Sequence, residues 1–254
     1  MAQLIRSFML SKMKALRTVG LAVFMLTAWQ AQADYQCSVK PQDDVIISPQ
    51  SVQVVGASGN LQISPDGDVT RNGKTLTLTD AQRQQAFRYQ TALRKDLPWI
   101  ESGAQQHLEK ARVSLDKVIV QQLGSSSNVR NRLTTLNEQL KQQMNRIIEK
   151  RSDGLTFHHQ AIDQVEQDGR QLVQQSMGGV LQDSLNEMGV KQATSGSGGN
   201  NPLQAIMGNL GGLQQAIKNE WNNQEQEFQQ FGHEVCGRVT ALEQQRKDLL
   251  KALN

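Results

Sequence analysis

Read as a pattern of apolar and polar positions, the chain changes period once. Between Asp44 and Leu78 the stretches Val45-Ile46-Ile47, Val52-Gln53-Val54-Val55, Leu61-Gln62-Ile63 and Thr75-Leu76-Thr77-Leu78 alternate around turns. A period of two predicts strands. Pro65-Asp66-Gly67 and Asn72-Gly73 punctuate them, and Asn-Gly supplies the positive φ angles of a two-residue hairpin that pairs Val69 to Arg71 with Lys74 to Leu76. The expectation is a small antiparallel meander of three or four strands within residues 34–78. One apolar face of that size cannot stand alone, so it should pack on a helix, or its edge should recruit a partner strand.

From Thr79 the period lengthens to near 3.6, and Thr79-Asp80-Ala81-Gln82 fits a capping box. A helical region spans 79–188. Pro98 predicts a break between a first helix and a second one from Trp99 to Leu123, which ends at Gly124 and a serine run. A third helix, Asn128 to Arg151, carries Val129, Leu133, Leu136, Leu140, Met144, Ile147 and Ile148 at steps of three and four. After a turn at Asp153-Gly154, a fourth runs from Leu155 to Met177 and continues past Gly178-Gly179 to Met188. Residues 189–201, rich in Gly, Ser and Asn, read as a flexible linker. Pro202 suits the first turn of a C-terminal segment, 202–254. Within it Ile217, Trp221, Phe228, Phe231, Val235, Val239, Leu242 and Leu249 mark a coiled-coil-like helix, expected to pack antiparallel on the third and fourth helices. The expected fold class is mainly α with a small N-terminal antiparallel β-meander (α+β), built on long antiparallel helices. An aromatic content of 4% and abundant Gln favour long helices over a dense globule.

The first 33 residues form a separate unit. Arg6, Lys12, Lys14 and Arg17 precede an apolar run from Val19 to Leu26 and the small-residue site Ala31-Gln32-Ala33, the pattern of a cleavable secretory signal peptide cut after Ala33. The apolar run is too short to span a bilayer. Met13 followed by Lys14 could equally start a signal of ordinary length. Lipid anchoring at the cut would need cysteine first, and Asp34, Tyr35 and Gln36 come before Cys37.

Removing the leader changes the charge balance. The whole chain has 27 basic and 24 acidic residues; four basic ones leave with the leader, so the mature chain carries 23 against 24, a net −1. No basic cluster with interleaved aromatics occurs, which disfavours nucleic acid as a partner. No later stretch reads as a transmembrane anchor. The two cysteines, Cys37 and Cys236, enter an oxidising compartment and are expected to form a disulfide. Closing so long a loop stabilises by roughly 4 to 5 kcal/mol on the loop-entropy account.

Candidate chemistry is sparse. His159 and Asp163 share a helix face at i and i+4 beside His158, half a metal site without a third ligand; His107 and His233 lie elsewhere, and solvated histidines are the blander reading. Ser114-Leu115-Asp116-Lys117 matches a Ser-x-x-Lys pattern by letters alone. Glu101, Glu138, Glu149 and Glu225 read as solvated helix faces, and Trp99 and Trp221 as core anchors. No nucleotide, dinucleotide or zinc-protease motif occurs, so no cofactor is expected. Two glycine-containing apolar segments stand out: Met177-Gly178-Gly179 and Met207-Gly208-Asn209-Leu210-Gly211-Gly212. They read either as close helix packing through small residues or as pliable surfaces for a partner, an apolar ligand or a membrane face.

The stretches Ala-Asp-Tyr-Gln-Cys-Ser-Val (33–39), Asp-Asp-Val-Ile-Ile-Ser-Pro-Gln (43–50), Met-Asn-Arg-Ile-Ile-Glu-Lys-Arg-Ser-Asp-Gly-Leu-Thr-Phe-His (144–158) and Phe-Gln-Gln-Phe-Gly (228–232) resemble the YggN-like family over essentially the whole mature chain. The resemblance implies a periplasmic address in a Gram-negative cell and carries no catalytic or binding residues. The expected function is that of a non-enzymatic periplasmic interaction or scaffold protein, through a protein partner or self-association. The alternatives are an envelope-associated binder of an apolar or peptide ligand in a helical cleft, with peripheral membrane contact, and an enzyme with an unfamiliar site near His158 and His159.

Overall fold

The computed structural model describes residues 37–194 and 202–254, with side chains at 190–194, 202–207 and 209 left aside. The leader, its cleavage position and linker residues 195–201 lie outside the described residues. Seven strands form one antiparallel sheet: β1 (Asp43–Ile47), β2 (Val52–Gly56), β3 (Gly59–Ile63), β4 (Val69–Arg71), β5 (Lys74–Thr75), β6 (Ile148–Arg151) and β7 (Gly154–Phe157). Their spatial order is β5-β4-β3-β2-β1-β7-β6. Four helices accompany it: α1 (Asp80–Leu123), α2 (Val129–Ile147), α3 (Ala161–Thr194) and α4 (Pro202–Ala252).

The first five strands are the meander, and strand alternation sets its faces. Val45, Ile47, Val52, Val54, Leu61, Ile63 and Val69 all point inward and are almost wholly buried. Asn72 at φ 50° and Gly73 at φ 80° make the β4–β5 turn, with Arg71 opposite Lys74 and Thr70 opposite Thr75. Over the inward face lie Ala86, Tyr89, Leu93 and Leu97 of α1 and Leu242 and Leu249 of α4. Each fully buried aliphatic side chain contributes about 1.5–3 kcal/mol of burial.

Helix α1 begins as its letters dictate. The Thr79 hydroxyl accepts from the Gln82 amide at 3.3 Å, and the Gln82 side chain accepts from the Thr79 amide at 2.8 Å. It does not break at Pro98, which lies inside one 44-residue helix. Proline there costs about 3 kcal/mol through its missing donor and ring clash. Leu97 on one side is buried and Ile100 on the other packs against the same core, so tertiary burial offsets the local penalty.

A second departure is the β6–β7 hairpin, where the helical stripe had been carried on to Arg151 and resumed at Leu155. Here β7 pairs with the free edge of β1, Phe157 opposite Val45 and Leu155 opposite Ile47. Gly154 makes this approach feasible, because a Cβ at that position would run into the Ile47 carbonyl. Leu155 and Phe157 join the sheet core. The fourth helix consequently starts at Ala161, and it runs unbroken through Gly178-Gly179 and past residue 189 to Thr194.

Helix α4, 51 residues and about 76 Å at 1.5 Å per residue, lies chiefly antiparallel along α1, and of the two helices on which it was expected to pack it meets α3, around Leu213 and Ile217. Matching contacts run down its length: Gln82 to the Ala252 carbonyl at 2.6 Å, Asp96 to Arg238 at 2.5 Å, and Trp99 against Phe231 at 5.4 Å. Helices α2 and α3 pair antiparallel beside it through Arg132–Asp183 and Arg146–Asp168. Beyond the sheet, Ile119, Leu123, Val129, Leu133, Val180, Met188, Leu213 and Ile217 from all four helices form a second core.

Two links fasten α4 to the residues at and just before β1. Cys37 and Cys236 are disulfide-bonded across 199 residues, with Cα atoms 5.6 Å apart. Within the sheet core, Asp43 accepts from the Ser58 amide at 2.8 Å and the Ser58 hydroxyl at 2.7 Å, and Arg246 of α4 reaches the same carboxylate at 3.1 Å and Ser58 Oγ at 2.7 Å. Hydrogen bonding to Glu243 holds the Arg246 guanidinium even more firmly charged, against the opposing effect of burial. Burial pushes the neighbouring Tyr89 hydroxyl well above its usual range.

Replacing Arg246 by Leu strands a buried Asp43, and we expect a loss of about 3–5 kcal/mol in urea unfolding. Cys236→Ser should lower stability by about 2–5 kcal/mol under oxidising conditions and by nothing further in reductant, read by the same titration.

Candidate functional site

The two apolar cores do not meet. Between them a polar layer crosses the helices, and beside it opens a cleft of ≈ 890 Å³ bounded by β1, α1, the end of α2, β6 and the start of α3. Strand alternation assigns the two consecutive aspartates of β1 to different duties: Asp43 turns inward to Arg246, whereas Asp44 turns to the cleft. The hairpin brings His158 and His159, which follow β7 directly, against Asp44.

His159 gives its backbone amide to Asp44 Oδ1 at 2.9 Å and places Nδ1 2.6 Å from the same oxygen. His158 stands between two carboxylates, Nδ1 3.7 Å from Asp44 and Nε2 3.6 Å from Glu149. Partial burial tends to raise the Asp44 carboxyl, but the side-chain and backbone hydrogen bonds from His159 and the charges of both histidines outweigh it and hold the group below its usual range. Asp163 is elsewhere, paired with Lys40 at 3.0 Å, so the i, i+4 half-site does not form. Among the described residues no group of three or more His, Cys, Asp or Glu side chains is placed to hold a metal ion.

The layer's most constrained member is Glu101. Expected on a solvated face, it is 4% exposed on α1, with Oε2 2.6 Å from Lys150 Nζ of β6 and Oε1 accepting from Gln105. The sequence signal was present: Leu93, Leu97 and Glu101 follow one another at steps of four, so a carboxylate occupies the apolar stripe. Asn137 of α2 is buried likewise and donates towards Glu109 and Glu138 at 3.3 Å. Lys150, Gln105, Asp44, Glu149, Arg146 and Asn145 all reach the cleft wall.

The remaining sequence candidates are scattered. His107 stacks on Phe231 at 4.8 Å and Phe228 at 5.7 Å. Trp99 is sandwiched by Phe231 and the Arg238 guanidinium, 3.8 Å from its ring centre, but Trp221 is 42% exposed and is no core anchor. Met177 packs on the second core. Only Gly179 has the close neighbour that small-residue packing requires, the Arg132 guanidinium; a Cβ at Gly178, Gly208, Gly211 or Gly212 would meet nothing within 4 Å. The Met207 side chain lies outside the described residues. The close approach that does need glycine is Gly103, against the Phe231 ring.

A family model described as "Protein of unknown function (DUF2884)" matches residues 37–254. The chain belongs to the DUF2884 family. The matched span starts at the disulfide's Cys37, so both cores and the cleft lie inside the family's domain. Among curated relatives, the "Uncharacterized protein YggN" of Escherichia coli K12 is 62% identical over 229 residues, covering 90% of this chain and 95% of the relative. The proteins of the same name from E. coli O6:H1 and O157:H7 match to the same extent. No solved structure matches the chain. No helix among the described residues is long and apolar enough to cross a membrane.

Because the folded-state pKa of Asp44 is depressed, its contribution to stability is complete above the unfolded value of 3.8 and is lost as pH falls through the folded one. Asp44→Asn should therefore show a smaller drop in unfolding midpoint than the parent chain when titrated from pH 5 to below pH 3.8, with the two curves converging in acid.

Proposed function

We propose that this chain is an exported protein of the bacterial envelope, acting in the periplasm without chemistry of its own by holding a partner protein against its helices. The observation that carries this reading is the pair Trp221 and Phe228 on α4. They lie seven residues apart, two turns along one side of the helix, and are 42% and 38% exposed although large aromatics bury well. Aromatic side chains presented at this spacing are the usual anchors of helix-mediated recognition. The open glycine surface of α4 at Gly208, Gly211 and Gly212 continues the same helix.

Three features support the setting: the leader-like pattern of basic, apolar and small residues in the first 33 positions, the long-range disulfide, and the absence among described residues of a helix able to span a membrane. The reading without catalysis rests on His158 and His159, both engaged with carboxylates.

Photocrosslinking in intact cells, with the probe amino acid at Trp221, Phe228 and Gly208 and at exposed Asp153 as control, should capture one discrete protein from the α4 positions alone. Uncrosslinked chain at all three, or the same smear from Asp153, would overturn the reading.

A further inference from the structure

The cleft at the junction of sheet and helices is a separate surface, and its chemistry is specific enough to name a ligand class. Ala161 is the single apolar residue among those lining it, so the wall consists of the aliphatic stems and polar ends of long side chains. The charges on its wall balance: Asp44 and Glu149 against Arg146 and Lys150. A polyanion would face two carboxylates and a polycation two cations, whereas a molecule carrying one charge of each sign meets a complement for both.

The positions of the cations are fixed from behind. Lys150 is held by Glu101, a carboxylate 4% exposed whose Oε2 has that ammonium at 2.6 Å and no hydrogen bond of good geometry. A carboxylate buried in the apolar stripe of α1 costs stability, and what it accomplishes is to orient two cleft residues: Lys150 through one oxygen and Gln105 through the other. With its Nε2 committed to Glu101, Gln105 has its carbonyl oxygen left as an acceptor. Arg146 is steadied by Asp168 at 2.5 Å. Gln142, Asn145 and Gln160 complete a wall of carboxamides, groups that pair in two-point fashion with peptide N–H and C=O.

We propose that this cleft binds a short peptide with free termini, its ammonium towards Asp44 and Glu149, its carboxylate towards Arg146 and Lys150, and its amide groups along Gln105, Gln142 and Asn145. This site shares no residue with Trp221 and Phe228, so it stands or falls independently of the partner surface on α4.

The test uses the full disulfide-bonded chain and amide NMR titration with three probes: trialanine with free termini, the same peptide acetylated and amidated, and maltotriose as a neutral polyol. Free trialanine should give saturable shifts centred on Gln105, Asn145, Lys150 and His158. The exposed-residue variant Arg146→Gln should weaken binding about tenfold, the equivalent of one charge-assisted contact, and the capped peptide, which loses both terminal charges, should weaken it further. Asn145→Ala, also at an exposed position, should weaken it less and serves as a second variant with Glu101 and Lys150 untouched. No saturable shift at these residues, equal response to the capped peptide, or tighter binding of maltotriose would overturn the assignment.

Discussion

Everything in this fold hangs on the antiparallel pairing of α1 with α4. The sheet supplies one apolar face and cannot cover it, and α2 and α3 supply a helical hairpin that cannot close a bundle. The same two helices complete both: their Ala86–Leu97 and Leu242–Leu249 portions roof the sheet, and their Ile119–Leu123 and Leu213–Ile217 portions enter the second core. Because α1 follows the meander, this pairing also brings the C-terminal part of α4 back to the first strands. Exposed ion pairs along the seam, such as Lys110–Glu227, contribute little; apolar burial and the Trp99–Phe231–Arg238 stack contribute most.

One helix pair serving two cores creates a middle that belongs to neither, where buried polar side chains sit beside apolar ones such as Ala111 and Leu136. Glu101 and Asn137 are buried there; Asn137 Oδ1 has no hydrogen bond, and Glu101 Oε2 has only the Lys150 ammonium at 2.6 Å. Apolar residues of similar size would pack more cheaply at those sites. The layer instead fixes how β6 approaches α1 and α2, and it backs the cleft described above. The buried Asp43–Ser58–Arg246 set acts similarly on the other side of β1: it locks the β2–β3 turn and the register of α4 with respect to the sheet.

The sequence made much of this legible, and where it failed the reason is local. The meander, the Asn72-Gly73 hairpin and the capping box at Thr79 depend on neighbours within a few residues, and all three form in the structure. Pro98 is likewise a local signal, yet it was overruled, because Leu97 and Ile100 bury against a core assembled from strands and a helix far away in the chain. Residues 148–157 misled for the opposite reason. Ile147 and Ile148 extend a helical stripe, but β1 offers an unpaired edge that only exists once the meander has folded. In the candidate site, Glu101 could have been noticed as a charge on an apolar stripe, whereas nothing near Asp44 in sequence announces His158 and His159.

By itself, then, the sequence determined the fold class, the pairing of its two cysteines, and the boundaries set by caps and tight turns, since all of these follow from composition and short-range periodicity. Tertiary structure alone decided which long helices pair, the two added strands, and the convergence of Asp44, Glu101, Lys150 and the histidines around one cleft. Those outcomes turn on contacts between residues some fifty to more than one hundred positions apart, as in Lys150–Glu101 and His159–Asp44. A period of two or 3.6 says which face a residue occupies but not what will cover it.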